Sequence, residues 1–510
     1  MTELPLKRYN KHMDYNKTMY RFMREYCTKH NAVAVSRGGV RLSYDKLDRE
    51  VRRVAGGLFK LGVRQGDVVM SALPNIEQAV SLLYATSVLG AIFAPVHPLL
   101  SEREFKKEVE LQQPKVLAIS DINFSRFAKH KKGAKVVYCP YLAHGFVGLP
   151  HSTKFDEYVG DGNVPALHMH SGGTSGVPKT VVLTAYGANA LVDNLLSSIP
   201  YNFDSKDKML VTLPMFHGFG LIVGVHASLS TDMSAVLMPR FTGKAALKSI
   251  KDNKVTTVIA IPRMLTKLLA TKGFEGEGVS SLANVFVGGD TLSKSLAVEF
   301  NDRMKRAGAT AVAQQGYGLT EIGSVCVLAP KDAEVGSIGR TIRNVTPLIV
   351  DDNGRALADG EKGELVLLSN QTMLGYIGSD EDAFVYVDGN KYLRTGDIFS
   401  KDGNNLTFYG RKKRLIKISG MNVFPSEIER VAKEISYVNE CAVIERSVGG
   451  KTQIELVIVG KLTDKQKDEV RKHVGKNLSH WHVPGIVTSI DAMPYTTIGK
   501  VDYNALEKMY

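Results

Sequence analysis

The chain is poor in cysteine, with four in 510 residues, at Cys27, Cys139, Cys326 and Cys441. They stand far apart and form no CxxC pair, which argues against a disulfide framework or a structural zinc site and fits a reducing, cytoplasmic setting. Long apolar runs are missing too. The longest, Ser81 to Val96, falls short of the roughly 20 residues that cross a bilayer. Gly90 interrupts it, so it reads as a buried helix, a turn and a strand. The start of the chain is polar, and the first helical stretch, Tyr15 to His30, is studded with Lys, Arg and Glu, so no export signal is expected. Neither a fixed-period repeat nor a low-complexity tract is present. At 44% hydrophobic and 23% charged residues, the composition excludes a disordered, collagen-like or coiled-coil chain.

What is present in excess is positive charge, +13 formally, which suits nucleic acid, a membrane surface or anionic small molecules. The excess is spread out, since Gly410 to Tyr510 carries 17 basic and 12 acidic residues. At roughly 150 residues per domain the length allows two to four domains. From Leu42 to Val96 the apolar period switches between about 3.6 and 2. That predicts a helix at Tyr44 to Leu61, a strand at Val68 to Ala72, a helix at Ile76 to Val88 and a strand from Ala91. Further strand candidates are Val116 to Ser120, Lys208 to Thr212, Ser234 to Met238, Thr257 to Ala260 and Asn284 to Val287. The fold class expected is α/β, with layered subdomains around parallel strands. After about Pro330 short strands and Asp/Gly turns predict a β-rich lobe. From Cys441 onward, strands at Cys441 to Glu445, Gln453 to Gly460 and Ile486 to Ile490 flank a helix at Thr463 to Leu478. These predict a compact α+β unit, joined by a charged connector at Gly410 to Arg414. The expected domains are a large one over 1–409 and a small one over 410–510.

The most informative segment is HSGGTSGVPKTVVLT, His170 to Thr184. Three glycines and three hydroxyl residues fill Ser171 to Gly176, and Lys179 follows, giving a backbone arc rich in N–H and O–H donors with one cation. Such an arc suits a polyphosphate. It is nearly a Walker A loop, but Pro178 takes the second glycine position and Val181-Val182-Leu183 reads as a strand where that motif needs a helix. Five more segments follow in order: LPMFHGFG from Leu213, GGD from Gly288, QQGYGLTE from Gln314, YLRTGD from Tyr392 and GRKKRLIKISGMNVFPSEIE from Gly410. PYTTIGKVDYNAL from Pro494 closes the series. Together they resemble the adenylate-forming superfamily of acyl-CoA ligases, carrier-protein adenylation domains and luciferases over nearly the whole chain, closest to acyl-CoA synthetases, with Thr180 where a glycine usually follows the lysine.

The resemblance implies a large N-terminal domain and a small mobile C-terminal one, and a role for each motif. Ser171, Gly172, Gly173, Thr174, Ser175, Gly176 and Lys179 would hold ATP phosphates. Gly289, Asp290, Gly316, Tyr317, Gly318 and Thr320 would form the nucleotide pocket, where Tyr317 offers a face to adenine and Thr320 can bond a phosphate oxygen. Glu321 would supply the hard oxygen that Mg2+ prefers. Asp397 would accept hydrogen bonds from both ribose hydroxyls, and Arg411 would contact ribose or phosphate. His217, Gly218, Phe219, Gly288 and Gly316 would form the acyl pocket. Because an imidazole at His217 cannot pair with an ammonium, the acid is expected to lack an α-amino group. Lys413 would be the hinge, Ser419 and Gly420 would border the thiol tunnel, and Lys500 would enter the active site with His217, Thr320 and Glu321 as the catalytic set. The implied reaction is ATP-dependent activation of a fatty or aryl carboxylic acid to acyl-AMP with release of pyrophosphate, then transfer to coenzyme A. A carrier-protein thiol as acceptor and a light-emitting oxygenase share the motifs. A basic P-loop NTPase or nucleic-acid-binding protein is the reading from another class, with the five basic residues between Arg411 and Lys417 as its patch; the expectation is no nucleic acid and no membrane span.

Overall fold

The computed structural model describes residues 13–171, 179–379, 382–418, 421–448, 451–495 and 501–510. Among them, two large twisted sheets dominate. The nine-stranded sheet runs, from one edge, Arg340–Thr341, Val325–Leu328, Ala313–Gly318, Asn284–Val287, Thr257–Ala260, Lys208–Val211, Ser234–Leu237, Val33–Arg37 and Val40–Ser43. From Ala313–Gly318 to Val33–Arg37 all neighbours are parallel. The seven-stranded sheet runs Gly375–Ile377, Thr180–Thr184, Pro165–His170, Ile92–Pro95, Val68–Ala72, Val116–Ile119 and Lys135–Tyr138. Strands Ile92–Pro95 and Val116–Ile119 of this sheet are short unbroken runs of apolar residues, buried along their whole length as parallel strands under helices are.

Helices fill the space between the sheets. Tyr44–Lys60 begins where the Ser43 hydroxyl accepts the Lys46 N–H, and it buries Leu47, Val51, Val54 and Leu58 on one stripe. Glu77–Val88 packs against that helix, against Met19–Tyr26 and against strands of both sheets, and every one of its residues is buried. This is why its sequence shows so little amphipathic period. One core runs through both sheets, from Phe22 and Val35 through Tyr84 to Leu191 and Val211.

Five antiparallel strands, Val345–Val350, Gly363–Ser369, Phe384–Val387, Asn390–Asp402 and Asn405–Arg411, form the β-rich lobe. The three-stranded sheet Cys441–Val448, Lys451–Val459 and Ile486–Ile490, with helices Pro425–Ala432 and Asp464–Asn477, encloses a separate core of Val431, Val443, Leu456 and Val474. The layered α/β architecture with a small α+β lobe is as expected. Strands Val68–Ala72, Thr257–Ala260, Asn284–Val287 and Ile486–Ile490 lie where the pattern put them. The first helix is shorter, Met19–Tyr26, because the Thr18 hydroxyl caps its start and Cys27 is already extended. The apolar run Phe219–Ala227 is a π-helix, wound wider than an α-helix. All four cysteines are buried and unpaired. Among the described residues no helix is long and apolar enough to cross a membrane.

Candidate active site

Parallel strands leave their functional loops at their carboxyl ends. Here Ile261, Gly288 and Gly289 follow directly on strands Thr257–Ala260 and Asn284–Val287, and Leu213 to Phe219 follows Lys208–Val211. These loops, the turn at Thr320 and the edge of the β-rich lobe enclose a cleft of about 580 Å³.

One end of the cleft is polar and held by ties between distant segments. Ser171 and Lys179, which flank the glycine-rich arc, both line it, and they are clipped together: the Ser171 N–H donates to the Lys179 carbonyl at 2.9 Å and the Lys179 N–H to the Ser171 hydroxyl at 3.1 Å. The Thr320 hydroxyl donates to the His170 carbonyl at 3.1 Å. The His170 ring in turn lies 2.9 Å from Glu108 on helix Glu102–Gln112. Burial is the largest single influence and opposes the Glu108 charge, but the bond to His170, the His170 charge and the Gln112 bond together hold the carboxyl below its ordinary range. The Tyr376 hydroxyl donates to Glu321 Oε1 at 2.9 Å, and the Lys179 ammonium sits 4.6 Å from the centre of the Tyr376 ring.

Beside this, Tyr317 packs edge-on to Phe399 at 5.0 Å and its hydroxyl donates to Asp397 Oδ2 at 2.7 Å. The Arg411 guanidinium meets Asp397 Oδ1 at 3.0 Å. Burial, and then the Asp397 charge, push the Tyr317 phenol well above its ordinary range, so it stays a hydrogen-bond donor. Burial works against the Arg411 cation, but the Asp397 carboxylate, helped by the Glu321 charge, overcomes it and its pKa is raised. Asp397 lies within strand Asn390–Asp402, next to Gly396 at a break in the pairing with Gly363–Ser369, and the Gly396 N–H donates to Glu364 Oε1 at 3.2 Å. Glu364, 4% exposed, also takes Arg394 at 2.7 Å and Lys412 at 3.1 Å, so three segments are joined at one buried carboxylate.

The other end is apolar and close-packed. Leu213, Pro214, Phe219, Ile261 and Val325 line it with Gly218, Gly288 and Gly316. Gly218 is required: a Cβ there would sit 1.9 Å from the Gly323 carbonyl oxygen. A Cβ on Gly288 would meet the Phe219 ring at 3.1 Å, so Phe219 and Gly288 together bound the depth of this end. The approach is fixed from beneath by Asn75, 4% exposed, which donates to the Leu213 carbonyl at 2.8 Å and accepts the Met215 N–H at 2.9 Å. The rings of His97, Phe216 and His217 form a run with centres 4.6 and 4.9 Å apart.

Of the residues singled out in the sequence, Ser171, Lys179, His217, Gly218, Phe219, Gly288, Gly289, Gly316, Tyr317, Gly318, Thr320, Glu321, Arg411 and Lys413 all line this one cleft, and Asp397 reaches it through Tyr317 and Arg411. Asp290 does not line it; it is exposed and accepts the Thr291 N–H. Gly172, Gly173, Thr174, Ser175, Gly176, Ser419, Gly420 and Lys500 lie outside the described residues. Sequence reading missed Tyr376, Glu364, Arg394 and Lys412 as lining residues; Arg394 lay inside the YLRTGD segment and Lys412 inside the basic run, whereas Tyr376 and Glu364 stood in no motif. Among the described residues no three His, Cys, Asp or Glu side chains converge as a metal cage. A single carboxylate at Glu321 fits a magnesium ion that arrives on polyphosphate oxygens.

The family profile described as AMP-binding enzyme matches residues 23–377, and that described as AMP-binding enzyme C-terminal domain matches 427–500. 4-Coumarate--CoA ligase 4 of Arabidopsis thaliana is 27% identical over 490 residues, covering 90% of this chain and 85% of that protein. The crystal structure of ATP-bound MatB from Rhodopseudomonas palustris superposes with a TM-score of 0.87 at 22% identity, covering 97% of this chain and 99% of that one. The anthranilate CoA ligase AuaEII in complex with anthranoyl-AMP gives 0.87 at 20% identity, covering 99% of both. At these identities the superpositions speak for the fold.

Proposed function

Because the chain belongs to the AMP-binding enzymes, we propose that it is an AMP-forming acid–thiol ligase that activates an aryl or other flat carboxylic acid without an α-amino group and passes the acyl group to coenzyme A. The observation that carries this reading is one cleft with two unlike ends, an apolar glycine-walled one and a charged one, joined at Thr320 and Glu321. A carboxylate is a poor electrophile and must be converted before a thiol can attack it. In this reading the acid lies against Phe219 and Gly288, with its carboxylate toward Thr320 and His217. Tyr317, Asp397 and Arg411 hold adenosine, and Lys179 and Thr320 hold phosphates. Glu321 would hold magnesium, which screens the triphosphate charge. The names of the relatives, 4-coumarate, anthranilate and benzoate CoA ligases, favour an aryl acid. Among the described residues no Lys or Arg lines the apolar end, where a second carboxylate on the substrate would find no cation.

Two half-reactions need different partners at one carbonyl. We assign the exchange to the small unit, 410–510, turning about Lys413 relative to 1–409. The short 3-10 turn Lys412–Arg414, between strands Asn405–Arg411 and Ile416–Ile418, is a connector of the right kind. Lys500 is the lysine assigned to the first state. Lys500→Ala is expected to slow adenylate formation by about 10²-fold or more while sparing thioester formation from a supplied acyl-adenylate; equal loss of both overturns that assignment.

The test of the function is pyrophosphate exchange with ATP across a panel of aromatic, fatty and amino acids, with and without coenzyme A. Exchange with an aryl acid, plus AMP and a thioester when coenzyme A is present, is the expected outcome. Exchange with no thioester moves the acceptor to a carrier protein, and exchange with no acid in the panel overturns the reading.

A further inference from the structure

We infer that Tyr376 is a positioning residue that sets the separation between Lys179 and Glu321, the phosphate-side cation and the carboxylate assigned to magnesium. The inference rests on the function proposed above. Tyr376 stands on the three-residue strand Gly375–Ile377, which belongs by sequence to the β-rich lobe but adds to the edge of the seven-stranded sheet, with Tyr376 opposite Val181. That strand pairs with the one leaving the glycine-rich arc. The segment leading into it clasps the turn that carries Glu321: the Met373 N–H donates to the Glu321 carbonyl at 2.8 Å, and the Gln371 amide, fully buried, donates to the carbonyls of Ile322 at 3.1 Å and Val325 at 2.8 Å. The Leu374 N–H closes the strap onto the Val182 carbonyl at 2.9 Å.

The strap therefore ties two loops that are far apart in sequence, and Tyr376 projects from it between their functional side chains. Its hydroxyl holds one oxygen of Glu321 and its ring face takes the Lys179 ammonium. A hydrogen bond to a carboxylate is stronger than one between neutral groups and fixes the carboxylate rotamer. A cation over a ring is attracted without losing the ability to meet an anion. A triphosphate and its metal arriving together would find charges of both signs at a set spacing, with no rearrangement needed on binding.

The experiment is calorimetric titration with an ATP analogue carrying a methylene bridge between the α and β phosphorus atoms, repeated over a series of Mg2+ concentrations. Tyr376→Phe keeps the ring and loses the hydroxyl. It is expected to raise the Mg2+ concentration for half-maximal analogue binding about tenfold, leaving the affinity for the metal-free analogue within about twofold of wild type. Tyr376→Leu, which also loses the ring, is expected to weaken metal-free binding a further threefold or so. An unchanged Mg2+ dependence in Tyr376→Phe overturns the inference and leaves the proposed function standing. Failure of the wild-type protein to bind the analogue overturns both. The unfolding midpoints are measured alongside, and a Mg2+ shift accompanied by a lowered midpoint in Tyr376→Phe would make the role one of stability and also overturn it.

Discussion

At the charged end of the cleft, Asp397 is 1% exposed and takes two partners from different strands, Tyr317 at 2.7 Å and Arg411 at 3.0 Å. At the apolar end, only 1.9 Å would separate a Cβ on Gly218 from the Gly323 carbonyl oxygen. The first wall is placed by polar bonds that each have a direction, the second by how closely backbones approach. Directional bonds suit a ligand whose charges are always the same, as in a nucleotide polyphosphate. Shape suits a ligand that differs from enzyme to enzyme, because a pocket bounded by one aromatic ring can be reset by substituting that ring.

Asp397→Ala is the sharpest way to break the charged wall. It strips the buried partner from both Tyr317 and Arg411, and removing one member of such a set typically costs about 3 kcal/mol. We expect kcat/KM for ATP to fall about 10²- to 10³-fold with the KM for the acid within about threefold, measured by initial rates at saturating acid. Equal losses for ATP and acid would show that the two walls do not act separately.

Phe219→Ala addresses the other wall. Removing the ring beneath Gly288 deepens the apolar end, and a bulkier acid should gain on a smaller one by about tenfold in relative kcat/KM. The KM for ATP should stay within about twofold. A panel of acids of graded size reads the shift. If ATP binding weakens as much as acid binding, Phe219 belongs to the structure of the whole cleft rather than to its apolar end.

Much of this was legible in the sequence where the signal is local. Strands such as Thr257–Ala260 and Asn284–Val287 are short runs of apolar and β-branched residues with turn residues beyond them, and the motifs around Tyr317, Glu321 and Asp397 each sit on one continuous segment. What escaped depends on distant pairing. Tyr376 lies on a strand of only three residues, too short to carry a period, and its importance comes from pairing with Thr180–Thr184 and bonding to Glu321. Glu364 reads as one acidic residue in an ordinary strand, yet it gathers Arg394, Lys412 and the Gly396 N–H. Asp290 shows the reverse: motif order put it in the nucleotide pocket, and the structure leaves it exposed beside the cleft.

Thr180 supplies the smallest test and the one that bears most directly on how the charged wall is made. It follows Lys179, stands opposite both His170 and Ile377 in the sheet, and is 1% exposed. Its hydroxyl oxygen has no hydrogen-bond partner among the described residues. A buried hydroxyl left in that condition costs stability, about 1 kcal/mol or more, whereas valine has the same branched shape and nothing to satisfy. Thr180→Val is therefore expected to raise the unfolding midpoint by about 1–2 °C, read by differential scanning fluorimetry, with the KM for ATP unchanged within about twofold. The opposite result, a lower midpoint or a weaker KM for ATP, would mean that the hydroxyl is bonded within the glycine-rich arc or to the nucleotide. The charged wall would then extend one residue further along this strand than Lys179.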